Sequence, residues 1–212
     1  MTIKRRQFLA GAATAGLAAS ASTFPKPAIA QSRVEWRMVT TWPKNFPGQG
    51  TGAERFAKTV TEATEGRLVI KVYAAGEIVP AFESIDAVIR GAADLMHATP
   101  YYWPNKSKAL NFYSSVPFGM TTPELDAWMN HLGGQELWDE IYDQFGLKAF
   151  HAGSTGVQMG GWFNKEITSV DSVKGMKMRI PGIGGEALAK LGMTIINLPA
   201  GEIFAALQSG AI

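Results

Sequence analysis

The sequence predicts an α/β fold, and two observations carry the prediction. From Val34 onward, short apolar runs alternate repeatedly with longer amphipathic segments, the pattern of strands set between helices. The composition, 46% hydrophobic and 18% charged over 212 residues, is that of a chain able to bury a core. Length leaves one domain or two open, since a domain commonly takes roughly 100–200 residues.

Each element follows from local pattern. Val34-Glu35-Trp36-Arg37-Met38-Val39 alternates like a half-buried strand, and residues 50–65 place Ala53, Phe56, Ala57, Val60 and Ala63 at helical spacing before Gly66 stops the helix. Leu68-Val69-Ile70-Lys71-Val72-Tyr73 reads as a second strand, residues 81–90 as a helix and residues 93–98 as a third strand. In one sheet, crossovers of this kind make the strands parallel. Residues 99–122 lose the regularity in a stretch dense in aromatics and prolines, and a loop of that length usually has a job. Helical patterns return at 123–132 and 134–145, the second with an acidic face of Glu136, Asp139, Glu140 and Asp143. Residues 147–152 begin another strand, and residues 157–164 continue an extended pattern. A boundary near Gly153 gives one α/β lobe over 31–152 and the start of a second over 153–212. That second part comprises a strand at 176–180, a helix at 184–191, a strand at 193–198 and a helix at 199–210. It has too few elements to close a core, which favours reading the chain as a piece of a longer protein.

The first thirty residues read as an export leader. Lys4-Arg5-Arg6-Gln7-Phe8-Leu9 precedes an Ala/Gly-rich stretch and then Ala28-Ile29-Ala30, giving a charged region, an apolar region and a small-residue cleavage site in order. Paired arginines followed by Phe-Leu point to the twin-arginine route, with cleavage expected after Ala30. The apolar stretch is shorter than the ~20 strongly apolar residues a bilayer span needs. A soluble periplasmic protein is therefore expected.

Several function classes fall away. Lys4, Arg5, Arg6 and Lys26 lie in the leader, which has no acidic residue, so setting them aside turns the formal +2 into −2 and removes a basic-patch argument for nucleic acid. With no cysteine, disulfides, thiolate catalysis and iron–sulfur clusters are excluded. His97, His131 and His151 are too scattered for a metal motif and are expected to be structural. Glu77, Glu83, Asp86 and Asp94 are expected on the solvated surface, and the methionines as core filling. Gly182-Ile183-Gly184-Gly185 precedes a helix but lacks the dinucleotide fingerprint. From spacing alone, Arg179 reads as a surface ion pair at least as readily as a ligand contact, and Gln158 as a turn-adjacent polar residue.

The leader, Gly66-Arg67-Leu68, Gly91-Ala92-Ala93-Asp94, Pro117-Phe118-Gly119, Met178-Arg179-Ile180-Pro181-Gly182, Leu198-Pro199-Ala200-Gly201-Glu202-Ile203 and Leu207-Gln208-Ser209-Gly210 together resemble one family. It is that of the periplasmic solute receptors of tripartite ATP-independent (TRAP) transporters, the DctP family, and within it the α-keto acid-binding branch. The resemblance implies a two-lobed periplasmic binding protein of type II-like architecture, whose C-terminal portion lies beyond this chain. It also implies a receptor, not an enzyme, that hands a pyruvate-like 2-oxo monocarboxylate to the membrane subunits of a TRAP transporter, with a homodimer as a further expectation. It places the carboxylate on Arg179, whose planar fork matches two oxygens and whose strand ends at Pro181-Gly182. It gives Gln158 a contact to both the ligand and a bound sodium ion, the remaining metal ligands being expected beyond Ile212. Tyr101 and Asn105, in the aromatic segment, are candidate pocket contacts. Trp42 and Phe46 are weaker ones. An exported enzyme and a binding module of another uptake or sensing system are the alternative readings.

Overall fold

The computed structural model describes residues 33–212, so the expected leader lies outside the described residues. The described residues pack as one unit containing two small sheets. The first is built from β1 (Val34–Thr40), β2 (Leu68–Tyr73) and β3 (Leu95–His97), in the order β2-β1-β3. Both pairings are parallel, with Val34 opposite Leu68 and Met38 opposite Leu95. Parallel neighbours need long crossovers. Helix α1 (Gln49–Ala63) supplies one, and a short turn at Ala81–Glu83 running into α2 (Ser84–Ile89) supplies the other.

Consecutive residues of a strand face opposite sides, and β1 shows what covers each side. Met38 packs with Ala53 and Ala57 of α1 and with Ile70 of β2. Val39, its neighbour, packs with Ala87 of α2 and Ala93. The strand is thus covered on both faces at its C-terminal end, while Val34–Arg37 stay exposed. This corrects the half-buried alternation expected for β1: a central parallel strand is buried on both faces, so its inner half reads as a continuous run.

After β3 the chain turns through Pro100–Tyr102 and Lys108–Tyr113, both short 3-10 turns, into α3 (Thr122–His131) and α4 (Gly134–Asp143). Helix α3 begins with a capping box, Glu124 accepting the Thr121 backbone N–H at 2.7 Å while Thr121 caps the first turn. Those hydrogen bonds hold the Glu124 carboxyl below its ordinary pKa. Between these helices and the first sheet lies an aromatic core of Trp42, Tyr102, Trp103, Tyr113, Trp138 and Tyr142 with Ile85, Leu110 and Met129. Glu136, Glu140 and Asp143 face solvent as expected, while Asp139 is clasped by Lys148 and Gln135.

The second sheet pairs β4 (Lys177–Arg179) with β5 (Thr194–Ile196) in parallel, connected by α5 (Gly182–Lys190). A turn at Ala200–Glu202 then leads into α6 (Ile203–Ser209). Two expected strands, 147–152 and 157–164, are irregular. Extended chain becomes a strand only beside a hydrogen-bonding neighbour, and none of the described residues pairs with these. No helix among the described residues is long and apolar enough to cross a membrane.

Candidate functional site

Arg179 is the last residue of β4, half-buried, with Pro181-Gly182 turning the chain immediately into α5. Its guanidinium lies across the end of the sheet. Nε and Nη2 both donate to the carbonyl oxygen of Leu198, at 3.0 and 2.9 Å, and Nη2 also donates to the Tyr102 hydroxyl at 3.3 Å. Among the described residues no carboxylate stands within 4.0 Å of it. An ion pair with an internal acid is therefore not what holds this cation. A backbone carbonyl and a phenol satisfy hydrogen bonds without neutralising the charge.

Tyr102 reaches Arg179 from the first sheet's side, on the turn that follows β3. Its ring is buried among Phe82, Tyr101, Trp42 and Trp103, with centroids 4.7, 4.8, 6.1 and 6.2 Å away. The turn is pinned by the Trp103 indole N–H donating to the Phe82 carbonyl at 2.7 Å and by Lys106 bonding Asp86 at 2.7 Å. Burial pushes the Tyr102 phenol up to about 12; the nearby Tyr101 adds to this and the Arg179 charge opposes it. The group is therefore a neutral hydroxyl at any physiological pH.

The sequence candidates are placed as follows. Tyr101 is partly buried, edge-on to Tyr102 at 87°, and its Cβ backs onto Gly182. Trp42 and Phe46 stack at 6.1 Å and 16°, and Trp42 forms the floor under Tyr102 rather than an open wall. Asn105 is exposed in the turn after Trp103, with no side-chain hydrogen bond to Arg179 or Tyr102. Gln158 is also exposed, in the irregular stretch, where its amide nitrogen donates to the Thr155 hydroxyl at 2.7 Å. Of the glycines beside it, Gly161 is the one pressed against β4: a Cβ there would stand 2.5 Å from the Met178 methyl carbon. The geometry thus joins Arg179, Tyr102 and Tyr101, and leaves Asn105 and Gln158 on the surface.

Two participants carried no sequence signal of their own. The Leu198 carbonyl belongs to the backbone, although Pro199 after it favours the extended conformation that presents it. Asn111 is 3% exposed, donates through Nδ2 to the Lys108 carbonyl at 3.0 Å, and has an unpartnered Oδ1. That oxygen lies 3.0 Å from where a Cβ on Gly182 would sit.

The resemblance implies a sodium ion beside the ligand. A hard cation takes about six or more oxygen ligands. Gln158 has one amide oxygen to offer, and no group of three or more His, Cys, Asp or Glu gathers among the described residues. The described residues do not make a cation site by themselves. Elsewhere, a pocket of roughly 490 Å³ between the Lys108–Tyr113 turn, α3 and α4 is lined by Phe112, Tyr113, Met120, Trp128, Leu137 and Ile141. No cationic side chain lines it, so an organic anion finds no opposite charge there. His97, His131 and His151 stay apart: His97 accepts from the Trp42 indole, His131 is exposed, and His151 pairs with Asp126 at 2.9 Å. Glu77, Glu83 and Asp94 are exposed and Asp86 is paired with Lys106.

A half-buried arginine at the end of a parallel strand, backed by aromatics and with no carboxylate within 4.0 Å among the described residues, stands where open α/β sheets hold ligands. The family model described as bacterial extracellular solute-binding protein, family 7 (DctP) matches residues 38–212, and the chain belongs to this family. A monocarboxylate 2-oxoacid-binding periplasmic protein from Nostoc sp. is 46% identical over 215 residues, covering 99% of this chain and 59% of the relative. The structure of a TRAP periplasmic solute-binding protein from Pseudoalteromonas atlantica, with bound sodium and pyruvate, is 46% identical with a TM-score of 0.82, over 85% of this chain and 55% of that one. Another, from Colwellia psychrerythraea with bound calcium and pyruvate, is 43% identical with a TM-score of 0.81 over the same shares. The chain thus spans somewhat more than half the length of the relatives it matches.

Proposed function

We propose that this chain carries the carboxylate-binding side of a periplasmic receptor for small 2-oxo monocarboxylates of the pyruvate kind, a binding protein rather than an enzyme, which delivers its ligand to the membrane subunits of a TRAP transporter. The observation that carries the reading is Arg179: a half-buried cation with no internal carboxylate among the described residues, at a strand end against Tyr102. A cation so placed has its charge neutralised through a hydrogen bond only when an anion arrives. The names of the relatives in Nostoc, Pseudoalteromonas and Colwellia supply the 2-oxoacid. Gln158 is assigned a ligand-and-sodium contact, and Tyr101 and Asn105 secondary ones. Export through a twin-arginine leader, a lobe boundary near Gly153 and pairing of two copies belong to the same reading. The irregular stretch between the two sheets supports the boundary.

A thermal-shift panel tests it. A ligand that binds only the folded state at a hundred times its Kd stabilises by about 2.7 kcal/mol. Pyruvate and its short-chain homologues should raise the melting temperature, with and without sodium, while dicarboxylates and neutral sugars leave it unchanged. An equal response to every anion would reduce Arg179 to a nonspecific charge.

A further inference from the structure

The guanidinium of Arg179 is not an open fork. Of its five N–H donors, the pair on the Nε–Nη2 edge converges on one oxygen, the Leu198 carbonyl, at 3.0 and 2.9 Å. That edge, one of the two on which an arginine can grip a carboxylate with parallel bonds, is committed to the protein. The other edge joins Nη1 to the second hydrogen of Nη2, and there Nη2 reaches the Tyr102 hydroxyl at 3.3 Å. Nη1 makes no hydrogen bond among the described residues, so an arriving carboxylate can take it, but beside it meets the phenol. A hydroxyl that accepts a hydrogen bond keeps its own hydrogen to give, and it turns to suit its partner. The phenol is neutral, because burial drives its pKa to about 12. Its ring is fixed by the surrounding aromatics, so the oxygen has little freedom to withdraw.

We infer that Tyr102 is itself a ligand-binding residue: its O–H donates to one oxygen of the acid's carboxylate while Nη1 of Arg179 donates to the other, so that the anion is held by a mixed fork of one charged and one neutral donor. The inference rests on the reading of Arg179 as the carboxylate site and adds the second half of the grip. In it, Tyr102 serves as acceptor to the arginine and donor to the ligand at once, and Leu198 keeps the guanidinium plane from rotating away. A short monocarboxylate fits this arrangement because both donors converge on a single carboxylate group and neither is left over for a second.

Calorimetric titration of the purified protein with pyruvate tests it. Tyr102→Phe keeps the ring and removes only the hydroxyl; it should weaken binding about tenfold. A purely orienting tyrosine could also give a loss, so the deciding variant replaces Tyr102 with 3-fluorotyrosine, measured at pH 6, where the phenol stays protonated. A more acidic phenol is a stronger donor and a poorer acceptor. Tighter pyruvate binding therefore supports donation to the ligand; unchanged or weaker binding means that the hydroxyl only accepts from Arg179, and overturns the inference. Arg179→Met separates the two levels. If pyruvate binds Arg179→Met as it binds the parent, the underlying reading fails and takes this inference with it. If Arg179→Met abolishes binding while Tyr102→Phe matches the parent, only the role of Tyr102 falls.

Discussion

The Trp42 indole N–H donates to Nδ1 of His97 at 2.9 Å, which fixes the imidazole as the neutral form carrying its proton on Nε2. Burial lowers the His97 pKa from 6.5, so the folded state resists protonation where the unfolded chain accepts it. The sign follows: a depressed folded pKa gives stability that is fully present above about pH 6.5 and is lost as pH falls from there through the folded value. Because Trp42 is the floor beneath Tyr102, acid should loosen the aromatic turn that faces Arg179. Urea midpoints measured between pH 7.5 and 5.5 should decline, and His97→Asn, whose side-chain oxygen can still accept from Trp42, should flatten that decline. Residue-scale reading from sequence succeeds where chemistry is carried by one side chain and fails where it is shared. Arg179 at a strand end was legible from Met178-Arg179-Ile180-Pro181. Its tie to a backbone carbonyl nineteen residues onward was not, and neither was the choice of Tyr102 over Tyr101, which depends on how a single turn rotates two adjacent rings.

Among the elements, α5 is packed closely onto the second sheet. Gly185 packs so closely that a Cβ would stand 2.5 Å from the carbonyl oxygen of Ile180, the residue after β4, and 3.1 Å from Ile195 of β5. Overpacking of this kind typically costs about 1–3 kcal/mol, so Gly185→Ala should lower the melting temperature and weaken ligand binding together. Gly182 has φ +71°, with Tyr101 and the Asn111 side chain beside it. An L-residue pays about 1–2 kcal/mol in that conformation, and Gly182→Ala should displace the amino end of α5. The effect should appear as lost protection of α5 amides in hydrogen exchange, while those of α1 stay unchanged. The second strand was legible to the residue, since Leu68–Tyr73 is an apolar run bounded by Gly66-Arg67 on one side. Residues 147–164 misled because β-propensity says that a segment can extend, whereas a strand also requires a neighbour, and propensity cannot report one.

For the whole molecule, the alternation of strands and helices carried the α/β class and the parallel order, and the motifs around Arg179 and Leu198 carried the family, which the match over residues 38–212 establishes. What escaped is the arrangement between parts: which aromatic turn meets which strand end is a matter of long-range packing, and no periodicity encodes it. The apolar pocket beside α3 and α4 shows the same point from the other side, since concavity alone would have placed the ligand where no cation waits for it. In the proposed reading, binding at the molecular scale rests first on the charge of Arg179. The direct measurement is isothermal calorimetry of pyruvate with the purified protein and with Arg179→Met, melting temperatures being recorded alongside. The account predicts that the parent binds and that the variant, still folded, loses at least about tenfold in affinity, the effect of removing a charged hydrogen bond of about 1.5–3 kcal/mol. Equal affinity in the two proteins would contradict it.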